Sequence, residues 1–152
     1  MKLGEALTQR SQLQKRFGEL RERIAGSVFA QEGEAPPEDA KALLSELEAV
    51  GAELEQLIAG INKANLTTTL ADGRTVTDAL ARRDHLTILQ SAFQKIANAA
   101  SESQVRYGKA EIKMVRLVDV AELRRRADEL AKERRELDAQ LQETNWLTDL
   151  PS

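Results

Sequence analysis

The chain has 152 residues, a net charge of −3 and no cysteine, which fits one domain and excludes disulfides, thiolate metal sites and a cysteine nucleophile. Its apolar share of 41% is too high for a disordered chain, and the 3% of aromatic residues leaves the core to aliphatic side chains. The 22 basic and 25 acidic residues argue against nucleic-acid binding, which calls for a basic excess.

Met1-Lys2-Leu3-Gly4-Glu5 turns polar at once, without the apolar core of a secretion signal. No apolar run reaches the roughly 18 residues that span a bilayer. These features predict a cytoplasmic protein outside the membrane. From Lys2, the residues Leu3, Ala6, Leu13, Phe17, Leu20, Ile24 and Ser27 fall in one heptad frame, predicting a helix to somewhere near Ala30. Gly33, Pro36 and Pro37 break it, and Glu38 and Asp39 suit the positive end of the next helix dipole.

The second helix is the clearest. Leu43, Leu47, Val50, Leu54, Leu57 and Ile61 alternate spacings of four and three, with Glu46, Glu48, Glu53 and Glu55 off the seam. Over Leu66–Val76, threonines flank Asp72-Gly73, which predicts a short β-hairpin around a type I′ turn. Thr75 or Thr77 then caps a third helix whose inward positions are Leu80, Leu86, Leu89, Phe93, Ile96 and Ala100, fraying near Ser101. Gly108, Ile112, Met114, Val115, Leu117 and Val118 predict an extended stretch over 109–118 that pairs with the hairpin as a small sheet. Asp119 caps a fourth helix with the stripe Val120, Leu123, Ala127, Leu130, Leu137 and Leu141, and a loose tail carries Trp146.

Several stretches occur together in order: Leu13-Gln14-Lys15-Arg16, Gln31-Glu32-Gly33-Glu34, Ile61-Asn62-Lys63-Ala64-Asn65, Leu70-Ala71-Asp72-Gly73-Arg74-Thr75, Val118-Asp119-Val120-Ala121-Glu122-Leu123 and Asn145-Trp146. On these the chain resembles the small bacterial proteins called septicolysin. The resemblance implies a helical fold and offers no assigned catalytic or ligand residues.

Three polar groupings are the candidate ligand-binding residues. Arg10 and Arg134 sit in otherwise aliphatic seams, where they would bind an anion or, on the favoured reading, fix helix register. Arg82, Arg83, Asp84 and His85 form the densest charged cluster and hold the one histidine. A metal site needs three or four ligands, so helix-surface pairing is favoured there. Asn62, Asn65 and Arg74 frame the most loop-like polar patch, suited to gripping a phosphate or carboxylate, or to capping a helix end. No catalytic residue, metal site or cofactor is expected.

The predicted architecture is a single mainly α domain over 1–152: an antiparallel bundle of four long amphipathic helices, arranged as two helical hairpins, with a small β-hairpin or short sheet near 66–76 and 109–118. Apolar stripes this long predict a homo-oligomer with a closed dimer as the minimal unit. The preferred function is a non-enzymatic oligomeric scaffold or interaction protein with a protein or small-anion partner. The alternatives are a membrane-active, cytolysin-like protein and a small-anion-binding enzyme using the 62–85 patch.

Overall fold

A computed structural model describes residues 1–102 and 114–151. Four helices are present among them: α1 (Leu3–Ala25), α2 (Ala40–Thr67), α3 (Val76–Ser101) and α4 (Val120–Leu147). The chain divides into two units, one of residues 1–69 with 142–152 and one of Leu70–Leu141.

In the first unit the predicted heptads are the buried stripes. Leu3, Ala6, Leu13 and Leu20 of α1 pack on Leu43, Val50, Leu57, Ile61 and Ala64 of α2, with Phe17, Ile24, Leu47 and Leu54 at the edges. Cross-links from α1 to α2 and to Glu38 just before it fix their direction. Gln9 donates to Glu53 at 2.9 Å, Arg16 pairs with Glu46 at 2.5 Å and Arg23 pairs with Glu38 at 2.5 Å. As α1 residue numbers rise, α2 partners fall, so the helices are antiparallel. The Asp39 carboxylate starts α2 by accepting from the Lys41 and Ala42 backbone N–H groups at 3.0 and 3.4 Å, satisfying donors that have no partner inside the helix. The first helix stops at Ala25, short of Ala30, because Gly26 closes its last turn on the Glu22 carbonyl.

The C-terminal segment is not a loose tail. α4 continues to Leu147, and the residues after it pair with the start of the chain. Lys2 and Asp149 form an antiparallel bridge, with the Leu3 N–H donating to the Thr148 carbonyl at 2.9 Å and the Leu150 N–H to the Met1 carbonyl at 2.8 Å. Lys2 Nζ adds a hydrogen bond to the Leu147 carbonyl at 3.1 Å and an ion pair to Asp149 at 2.9 Å. Trp146 lies on Gly4, so close that a Cβ there would be 2.9 Å from the ring, and Leu150 rests against Gly60.

In the second unit Val76, Ala79 and Leu86 of α3 pack with Leu70, Leu137 and Leu141. Arg82 pairs with Glu133 at 2.7 Å, the Arg126 guanidinium sits 4.5 Å over the Phe93 ring and Arg124 donates to Ser101 at 3.3 Å. These partners again run in opposite directions, so α3 and this part of α4 are antiparallel.

The expected β-hairpin is absent. Leu66 and Thr67 complete α2, where Thr67 Oγ1 donates back to the Lys63 carbonyl at 2.9 Å. Too few residues remain before α3 for two strands. They form a tight turn instead: the Gly73 N–H donates to the Leu70 carbonyl and the Leu70 N–H to the Arg74 carbonyl, with Gly73 at φ +86. The left-handed conformation is what glycine supplies there. The predicted second strand falls partly on 109–113, outside the described residues. Met114–Leu117 has no regular secondary structure, and among the described residues no strand is present. Thr75 and Asp119 cap α3 and α4 through Asp78 and Glu122 backbone N–H groups, both at 3.1 Å.

Candidate functional site

Of the sequence-predicted candidates in the first unit, Arg10 is half-buried in its α1 seam. Its Nε is buried with no hydrogen-bond partner among the described residues. Asn62 is exposed and Asn65 half-buried on the last turns of α2, one turn before its end at Thr67. They are helix residues, because the loop expected there begins later. An open groove of about 380 Å³ lies along the other end of the hairpin, lined by Gln12, Lys15, Arg16, Glu19, Leu20, Arg23 and Glu46. Its cations are already engaged: Arg16 by Glu46, Arg23 by Glu38 and Lys15 by Glu19 at 3.7 Å. The hydrogen bond from Arg23 holds the Glu38 carboxyl below the ordinary carboxylate range.

In the second unit Arg74 is committed to Asp72. Its Nη2 lies 2.5 Å from the carboxylate and its backbone N–H donates to the other oxygen at 3.0 Å. Those side-chain and backbone bonds hold Asp72 below the ordinary carboxylate range. An incoming anion would have to displace this carboxylate. Arg82 is likewise taken by Glu133, and Arg83 reaches Asp84 at 3.2 Å and Asp138 at 3.9 Å. His85 is exposed on α3. Arg134 repeats Arg10, half-buried with an Nε that has no partner among the described residues. A second open groove of about 360 Å³ is lined by Gln94, Ala97, Asn98, Arg124, Ala127 and Asp128. Among the described residues, no group of three or more His, Asp or Glu side chains is placed to hold a metal ion. No helix among them is long and apolar enough to cross a membrane.

The geometry thus joins Arg74 to Asp72 in the turn before α3 and Arg82 to Glu133 between α3 and α4, and it does not bring the candidate residues together into one site. What the seam analysis missed is the exposed apolar side chains. Ile88 is 70% exposed, Leu66 64% and Phe29 88%. The signal was present for Ile88, which lies outside the inward stripe of its helix.

Residues 10–150 match a family described as a family of unknown function (DUF6847). The chain belongs to this family. The chain is also similar to a solved structure described as a functionally unknown conserved protein from Corynebacterium diphtheriae. The two are 38% identical over 99% of each chain, with a TM-score of 0.89. No curated protein matches. The resemblance to septicolysin is therefore corrected. The match over nearly the whole chain is to a family with no assigned function, and the similar solved structure is also described as functionally unknown.

Proposed function

We propose that this member of the family is a non-enzymatic scaffold that works in the cytoplasm as a homo-oligomer and presents helix faces to other polypeptides. The single observation behind this reading is the set of large apolar side chains left in solvent on otherwise charged helices, Ile88 at 70% and Leu66 at 64% among them. Exposed apolar side chains on one helix face are what an interaction surface consists of. The committed state of the guanidinium groups also supports it, since Arg74 and Arg82 each already hold a carboxylate. A cysteine-free composition agrees with a reducing compartment.

Self-association makes stability depend on concentration. Urea unfolding is to be followed by circular dichroism at two protein concentrations a hundredfold apart. For a dimer that unfolds as it dissociates, the hundredfold change adds about 2.7 kcal/mol. The midpoint then moves up by roughly 1 M at an m-value of about 2–3 kcal/mol/M. Coincident midpoints would remove the oligomer from the proposal.

A further inference from the structure

Two stripes run along α3. The first faces inward, where Ala79, Leu86 and Ala97 are all 0% exposed. The second lies on the opposite side. Ala81, His85, Ile88, Ala92, Ile96 and Ala99 recur at spacings of four, three, four, four and three, which keeps them on one face of a helix. Ile88 is 70% and Ile96 46% exposed, and Ala81, His85 and Ala99 are exposed too. His85 is the one polar residue of the six. A face of this length without a charge is the pattern of a helix that packs on two sides, and here one side is bare.

The second stripe has a further property: four of its six residues mirror each other about position 90, and His85 and Ile96 do so to within one residue. Ala81 stands as far before that point as Ala99 stands after it, and Ile88 as far before it as Ala92 after it. Two copies of α3 laid antiparallel across a two-fold axis at this point therefore set large against small. Ile88 of each copy fills the space over Ala92 of the other, and the alanines at both ends let the backbones approach. The flank agrees. Asp84 and Lys95 lie on the same edge of the stripe and mirror each other about position 90 to within one residue. In an antiparallel pair like edges meet, so each Asp84 carboxylate faces the Lys95 ammonium of the other copy, twice per dimer. Among the described residues Asp84 pairs only with its neighbour Arg83, at 3.2 Å and with 67% of its side chain exposed, and Lys95 makes no ion pair.

We propose that the outer face of α3 is the self-association surface, and that its occupant is the same face of a second copy, antiparallel and centred on position 90. This rests on the homo-oligomer proposed above and names its interface. Such a contact is isologous, so it closes at two chains.

The chain has no cysteine, which allows a direct test. Ala81→Cys and Ala99→Cys are made as separate proteins, then oxidised alone and as a mixture after brief unfolding and refolding together. In the antiparallel pair residue 81 of one copy lies about 27 Å from residue 81 of the other, at about 1.5 Å per residue, and next to residue 99. The mixture is expected to give a disulfide dimer on a non-reducing gel, and each protein alone only monomer. Dimer from each protein alone would overturn the antiparallel arrangement. A light-scattering mass of two chains without cross-linking in the mixture would overturn this face and leave self-association standing. A mass of one chain would overturn both.

Ile88→Lys is on the exposed side, so its helical dichroism should match the parent while dimer affinity falls at least tenfold. Asp84→Lys should weaken the dimer, and adding Lys95→Asp should restore it. If the charge-swapped pair binds no better than Asp84→Lys, the flank pairing is wrong.

Discussion

Replacing Gly4 by alanine tests how the C-terminal segment is held against α1. The added Cβ would lie 2.9 Å from Trp146 Cδ2, closer than real carbon contacts come, and a tight 3.1 Å from two further ring carbons. The α1 backbone cannot yield easily, because the Leu3 N–H is bonded to the Thr148 carbonyl at 2.9 Å. The indole must therefore lift. Trp146 is 57% exposed, so the covered part is about 100 Å² on a side chain of up to about 250 Å². At about 25 cal/mol/Å², losing that cover costs about 2.5 kcal/mol. Alanine returns at most about 1 kcal/mol through helix propensity. The net loss is about 1–2 kcal/mol, or roughly 3–6 °C in Tm for a chain of this length. Trp146 is the only tryptophan, so its emission reads the displacement directly. The account expects a red shift together with the lower Tm. Unchanged emission with a raised Tm would show that the ring does not rest on Gly4.

Leu86 is fully buried between α3 and α4, and Leu86→Ala should cost about 2–5 kcal/mol in urea unfolding; a loss under about 1 kcal/mol would contradict the core assignment. Asp39→Ala removes the acceptor of two α2 backbone N–H groups and should cost about 1 kcal/mol, with Asp39→Ser recovering most of it. Asp149 is held below the ordinary value of 3.8 by its bond to Lys2. A depressed carboxyl stabilises the fold above its unfolded pKa, and that contribution is lost as pH falls through the folded value. The stability difference between the parent and Asp149→Asn should therefore be present at neutral pH and vanish below the carboxylate range. A difference that grows on acidification would contradict the clasp.

The helices were legible because their information is local. Leu43, Leu47, Val50, Leu54, Leu57 and Ile61 state a period, and that period alone implies a buried side, all six lying in or against the α1–α2 core. Caps were legible for the same reason, since Thr75 and Asp119 act on backbone groups three residues away. The threonines near Asp72-Gly73 misled. Threonine favours strands, yet Thr67 closes a helix and Thr75 opens one, and the turn between them needs only Gly73 in the left-handed region. The clasp of Lys2, Gly4 and Trp146 joins residues from opposite ends of the chain, and no periodicity or spacing rule connects them. Among the candidate site residues, the sequence marks Arg74 and Arg82 as charged and does not mark Asp72 and Glu133 as the partners that occupy them. The outer stripe of α3 was hidden by assigning the helix one buried face and setting Ile96 on it, whereas Ile96 is 46% exposed.

The proposed scaffold requires that a second copy cover helix faces left exposed in one chain. Sedimentation equilibrium of the unaltered protein across a wide dilution series, in buffer at neutral pH, measures this directly. The predicted result is a mass of twice 16.9 kDa at high concentration that falls towards one chain on dilution. A mass of one chain at every concentration would contradict it.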